Sequence, residues 1–165
     1  RLAGLHHPLH RWRSNWLRNY SFRICRECSM SEDRIPGVLF LCVHNAGRSQ
    51  MGAGFMRSLG AENVRVFSGG SEPAAKVNPS AVEAMREVGI DIADNVPQKW
   101  SMEMLHEVDV VVTMGCGDTC PYIPGKRYVD WPLDDPAGQG VDAVRPIRDQ
   151  IKTLVEALLS ELAVR

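Results

Sequence analysis

The feature that most constrains this chain is an abrupt change of character at Cys42. The four residues before it, Val38-Leu39-Phe40-Leu41, are all apolar, whereas Val43-His44-Asn45-Ala46-Gly47-Arg48-Ser49 after it are mostly small, polar or charged. An unbroken apolar run between turn signals predicts a strand covered on both faces of a parallel sheet. A helix is expected to start at Arg48 or Ser49 and to stop at Gly60. Residues 42–49 therefore fall between the carboxyl end of a strand and the amino end of a helix, where open α/β sheets take up ligands.

The same alternation continues along the chain. A second strand is expected over residues 64–67, followed by a loop over 68–73. Asn78 and Pro79 supply a cap and an N1 proline to a helix over residues 79–88, stopped by Gly89. A short helical piece is expected at 101–106, with strands at 108–113 and 128–131. The last element is an amphipathic helix over 144–162, with Ile147, Ile151, Leu154, Val155, Leu158 and Leu162 on one face. Strands alternating with helices predict an α/β fold, a three-layer α/β/α sandwich on a four-stranded parallel sheet.

The loop has the chemistry of an oxyanion site. Unpaired N–H groups and the positive end of the helix dipole attract an anion, and Ala46 and Gly47 let the backbone of Val43, His44 and Asn45 curl around one. Arg48 closes the loop with a planar fork suited to two oxygens of a phosphate or arsenate. The same field favours the thiolate of Cys42, and Ser49 can donate a hydrogen bond to it. His44 is expected to fill the loop and not to act as a base. The alternative, that Cys42 is a small core residue at a strand end, does not account for Arg48 and Ser49 at this spacing.

Cysteine, five residues, then Arg-Ser between a strand and a helix resembles the signature of the low-molecular-weight protein tyrosine phosphatase superfamily. Residues 42–51 are most similar to its arsenate reductase branch. The resemblance runs from Pro36 to the carboxyl terminus. It implies that Asn45 braces the loop, that Ser68 and Gly69 pack behind the anion, and that the Asp before Pro in Trp131-Pro132-Leu133-Asp134-Asp135-Pro136, which is Asp135, is the general acid. Some members hold potassium through a Glu that is Ala53 here, so neither potassium nor any other metal is expected.

Cys116 and Cys120 stand four apart in a Gly-rich segment after a strand, close enough to meet. In thioredoxin-linked arsenate reductases a cysteine pair in this loop resolves the first thiol, which implies Cys116 and Cys120 as a relay. The other route is a small thiol, mycothiol or glutathione, acting with a redoxin and leaving those two cysteines structural. Either way the expected partners are arsenate and an external thiol reductant, thioredoxin or a mycoredoxin-type protein, with no tightly bound cofactor. The rival reading is a tyrosine phosphatase in which water attacks a phospho-cysteine. That branch places aromatic rings after its Asp-Pro, where this chain has Ala137-Gly138-Gln139-Gly140.

Composition narrows the function classes. The chain's 165 residues, 44% of them hydrophobic, suit one core. Six of the 19 basic residues but one of the 20 acidic residues lie in residues 1–29. The remainder is thus about six charges negative, unlike a nucleic-acid binder. Apolar stretches stop well short of the roughly 18 residues a membrane span requires. Five cysteines without a secretory h-region point to a reducing, cytoplasmic setting, and the protein is expected to be a monomer. Residues 1–34, rich in Arg, His, Trp and Asn, are expected to form an extension outside a domain over 35–165, read as a transit peptide, vector-derived residues or translation upstream of a start at Met30. Cys25 and Cys28 lack the second half of a zinc ribbon.

Overall fold

The computed structural model describes residues 34–115 and 122–163, and all of these except Arg34 belong to the compact unit Ile35–Arg165. The strands are β1 (Gly37–Cys42), β2 (Arg65–Gly70), β3 (Val110–Thr113) and β4 (Arg127–Asp130). The helices are α1 (Arg48–Gly60), α2 (Pro79–Arg86), α3 (Met102–Glu107) and α4 (Val141–Ala163). The strands form one parallel sheet in the order β2-β1-β3-β4. From β1 the chain runs to β2 on one side and then crosses to β3 on the other, so the end of β1 is a topological switch point. Cys42 is the last residue of β1.

Strand periodicity divides β1 between two cores. Val38, Phe40 and Cys42 join the larger cluster with residues of α1, α2 and α4, while Leu39 and Leu41 join Leu105, Val108 and Val111 under α3. Both faces of the sheet are covered, as the apolar run requires. Phe40 is fully buried and meets Trp131 with ring centroids 5.8 Å apart, contributing roughly 1.5–3 kcal/mol of burial. None of the helices among the described residues is long and apolar enough to cross a membrane.

Several boundaries differ from the sequence reading, among them the start of β3, at Val110 and not at 108. β2 extends to Gly70, with Ser68, Gly69 and Gly70 paired to Phe40, Leu41 and Cys42. Two glycines read locally as a loop, yet here they serve close approach. A Cβ on Gly69 would lie 2.9 Å from the Trp100 backbone, and one on Gly70 2.5 Å from the Val43 carbonyl oxygen. α4 starts at Val141, ahead of the expected residue 144, because Ala143 and Val144 donate to the Gly140 carbonyl. α2 closes at Arg86 and not at 88, although the N–H of Val88, Gly89 and Ile90 still donate to Met85 and Arg86 carbonyls.

The end of α2 is tied to α4 by charge. Arg145 donates through Nε and Nη2 to Glu87 and pairs with Asp142, and Arg148, 8% exposed, donates to the Ala84 carbonyl and to Glu87 at 2.8 Å each. Hydrogen bonding from Arg145, then from Arg148, lowers the Glu87 carboxyl from its usual 4.5 to about 2. A depressed folded-state value makes the contribution to stability fully present above pH 4.5 and lost as the pH falls toward about 2. In thermal melts, Glu87→Gln is therefore expected to lower the midpoint at neutral pH, with the gap from the unaltered chain narrowing below pH 4.5. Gly70→Ala, which forces a Cβ onto the Val43 carbonyl, is expected to destabilise by about 1–3 kcal/mol. The urea midpoint, at unchanged slope, measures that loss.

Candidate active site

Residues 43–47 leave β1 and wrap the amino end of α1. The Val43, His44 and Ala46 carbonyls accept from the N–H groups of Glu72, Ala74 and Asn78, each at 2.9 Å. A trans peptide is planar, so the N–H that follows each of these carbonyls points away from residues 72–78. The first turn of α1 has no side-chain cap, whereas Asn78 caps α2 and Ser101 caps α3. The uncapped donors of α1 are thus left for an anion. Asn45 occupies the left-handed region at φ 47° and is completely buried, a conformation Asn tolerates better than most residues.

A small cavity of about 40 Å³ lies over this turn, lined by Cys42, His44, Ala46, Gly47, Arg48, Asn78 and residues 135–137. Cys42, 3% exposed, is the one free cysteine among the described residues, and its Sγ lies 2.9 Å from Ser49 Oγ. Arg48 is 7% exposed, donates to the Leu133 carbonyl at 3.1 Å and places Nη2 3.5 Å from Asp135 Oδ2. Asp135 Oδ1 accepts from the Ala137 N–H at 3.1 Å. The Asp-Pro turn therefore holds one carboxylate oxygen in its own backbone and leaves the other to Arg48. A Cβ on Gly47 would lie 2.9 Å from Pro136 Cγ, so the acid-bearing loop sits directly on the anion loop.

The geometry brings Cys42, His44, Ala46, Gly47, Arg48 and Asp135 around one hollow. His44 is exposed and its Nδ1 lies 3.0 Å from the Glu72 carbonyl. Asn45, Ser49 and Ser68 sit behind the hollow, with Asn45 Nδ2 donating to Ser49 Oγ at 2.8 Å and the Ser68 carbonyl accepting from Gln98 at 3.2 Å. Ala53 is fully buried in the larger core. Cys116 and Cys120, with Cys25 and Cys28, lie outside the described residues. Gly115 at φ 72° would bring a Cβ within 2.9 Å of Arg48 Nη1, so the chain passes beside the guanidinium one residue before Cys116.

Sequence reasoning did not place Asn78, Pro136, Gln50 or Gln98 at the site. Asn78 reads as a helix cap, and it is one, accepting from Ser80 N–H at 2.9 Å, but it also lines the cavity. Gln98 contributes a backbone N–H, donated to Asn45 Oδ1 at 2.9 Å, which no side-chain motif reveals. For Gln50 the sequence offers only its place after Ser49, and its burial, 2% exposed, is visible in the structure alone.

Comparison with known proteins agrees with this geometry. A family model described as low molecular weight phosphotyrosine protein phosphatase matches residues 37–165. Arsenate reductase 2 of Staphylococcus epidermidis is 40% identical over 124 residues, covering 73% of this chain and 93% of that protein. Glutaredoxin arsenate reductase of Synechocystis is 37% identical over 129 residues, covering 76% and 98%. Among solved structures, a thioredoxin-dependent arsenate reductase of Corynebacterium glutamicum superimposes with a TM-score of 0.69 at 36% identity, over 79% of this chain and 62% of that one. With the match running through every element from β1 to α4, the chain belongs to the low molecular weight phosphotyrosine protein phosphatase family.

Proposed function

We propose that the protein is an arsenate reductase acting through a Cys42 thiolate, within a catalytic unit over residues 35–165 to which residues 1–34 are an extension. The observation that carries this reading is that Cys42, Arg48 and Asp135 line one hollow at an uncapped helix start, in a chain with relatives named as arsenate reductases.

The geometry supports the following steps. Cradle N–H groups and the Arg48 fork bind the arsenate oxygens, concentrating negative charge where the donors already point. Cys42 Sγ forms an S–As bond while one arsenate hydroxyl leaves, and Asp135, acting in its protonated form, passes its proton to that hydroxyl oxygen so that water departs. A second thiolate then attacks Cys42 Sγ. The S–As bond breaks with its electron pair going to arsenic, so As(V) becomes As(III), arsenite leaves, and the two sulfurs form a disulfide. That disulfide must be reduced from outside, so the enzyme draws on a thiol reductant.

Cys116 is the second thiol in this proposal, and Cys120 resolves it to a Cys116-Cys120 disulfide for thioredoxin. Supporting this route, Gly115, the residue before Cys116 in the sequence, lies against Arg48. The relatives named for glutaredoxin and thioredoxin use frame the alternatives, with mycothiol and a mycoredoxin as a third. A cytoplasmic monomer fits a site built from one chain and kept in a reduced state.

Arsenite release from arsenate, measured with thioredoxin, thioredoxin reductase and NADPH or with a small thiol and its redoxin, is expected in the first system and abolished by Cys42→Ser. Steady hydrolysis of an aryl phosphate without arsenite in any system would instead make the protein a phosphatase. Asp135→Asn is expected to slow single-turnover formation of the arsenate adduct about 10²–10⁴-fold while leaving phosphate binding near that of the unaltered chain. Titration with inorganic phosphate checks the second half.

A further inference from the structure

Behind the cradle lies a polar core that the reaction as described does not use. Gln50, 2% exposed, donates through Nε2 to the Asn45 backbone carbonyl at 3.0 Å and to Asn45 Oδ1 at 3.1 Å, and its Oε1 accepts from Asn95 Nδ2 at 2.9 Å. Asn45 Oδ1 also accepts from the Gln98 N–H at 2.9 Å. Asn45 Nδ2 donates to Ser49 Oγ at 2.8 Å, and Ser49 Oγ is 2.9 Å from Cys42 Sγ. No buried side-chain nitrogen or oxygen among the described residues lacks a partner.

Two backbone groups fix the orientation of both amides. The Gln98 N–H can only donate, so the Asn45 atom it meets is the carbonyl oxygen, and the amide nitrogen must face Ser49. The Asn45 backbone carbonyl can only accept, so the Gln50 atom it meets is nitrogen, and the Gln50 oxygen must face Asn95. Ser49 Oγ therefore accepts a hydrogen bond from the Asn45 amide, and its own hydroxyl proton is free to point at Cys42 Sγ. Donation runs one way, from Asn95 through Gln50, Asn45 and Ser49 to the sulfur. A hydrogen bond received by a thiolate favours the charged form.

We propose that Gln50, which does not line the cavity, is a positioning residue for Cys42: with the Gln98 N–H it holds the Asn45 amide in the one orientation that directs the Ser49 proton onto the sulfur. The proposal rests on Cys42 being the nucleophile of the reductase reading, and it adds a residue that acts only through others. With both donors in place, turning the Asn45 amide over would set nitrogen against two N–H groups. Without Gln50 only one donor opposes that turn, and Asn45 Oδ1 can then draw the Ser49 proton away from Cys42. The charged and titratable groups that share the cavity with Cys42 are His44, Arg48 and Asp135, and replacing Gln50 leaves all three in place.

The test is the rate of Cys42 alkylation by iodoacetamide as a function of pH, in a chain with Cys25, Cys28, Cys116 and Cys120 changed to Ser. Gln50→Met is expected to move the rise of the rate to higher pH, slowing alkylation about three- to tenfold on the acid side, the worth of one hydrogen bond. In a Ser49→Ala background the same replacement is expected to have no further effect, because the route to the sulfur is already cut. A profile that superimposes on that of the unaltered site, or an effect of undiminished size in the Ser49→Ala background, overturns the proposal. If Gln50→Met does not fold, as judged by its thermal melt, the isosteric Gln50→Glu is read in the same cycle, and the part of its effect that Ser49→Ala abolishes is the positioning effect. Alkylation requires no arsenate. A shifted profile, with no arsenite produced by the unaltered chain, therefore counts against the reductase reading alone, and arsenite production by the unaltered chain with an unshifted profile counts against the positioning role alone.

Discussion

The site depends on one close contact, the approach of the Gly70 end of β2 to the turn after β1. Because Gly70 carries no side chain, the Val43 carbonyl can lie where a Cβ would otherwise stand, and the segment after β2 can receive the Val43, His44 and Ala46 carbonyls in succession. Those three bonds turn the peptide planes of the loop and so decide which way its donors face. The cradle is therefore shaped by the backbone that follows β2 as much as by the Cys42 loop itself, and the sheet ladder from Gly37 to Cys42 transmits that placement to the core.

What the sequence revealed was what is local in it. The strand before Cys42, the helix after it, and the placing of Cys42, Arg48 and Ser49 between them follow from contiguous residues whose chemistry and spacing speak for themselves. Asp135 is 93 positions from Cys42, and only the resemblance to a family linked the two before the structure set it beside Arg48. Asn78, Pro136 and Gln98 were illegible for a different reason. Two of them contribute by packing or by backbone groups, and the third does a helix cap's work that hides its second role. The Ser68-Gly69-Gly70 stretch was read as a loop because glycines weaken strands by propensity, while in the fold close approach outweighs propensity.

The two faces of the sheet carry different loads. One bears α1, α2 and α4 and the larger apolar cluster; the other bears α3 and a smaller cluster completed by Phe67, Trp100, Met104, Ile123 and Tyr128. Arg148, nearly buried between the Ala84 carbonyl and Glu87, locks α2 to α4 on the thicker face. Asn78 stands at the start of α2, so that lock also steadies one wall of the cavity.

The way Arg48 is held has a consequence for how fast and how selectively an anion can be taken up. A free arginine side chain carries about 2 kcal/mol of rotamer entropy, which an arriving ligand would ordinarily have to overcome in ordering it. Here the Leu133 carbonyl, the Asp135 carboxylate and the passing backbone of Gly115 confine the guanidinium beforehand. For the arsenate proposed as substrate, recognition then resembles insertion into a rigid socket, in which shape and charge of the tetrahedral ion are tested at once and little of the attraction is consumed in organising the receptor.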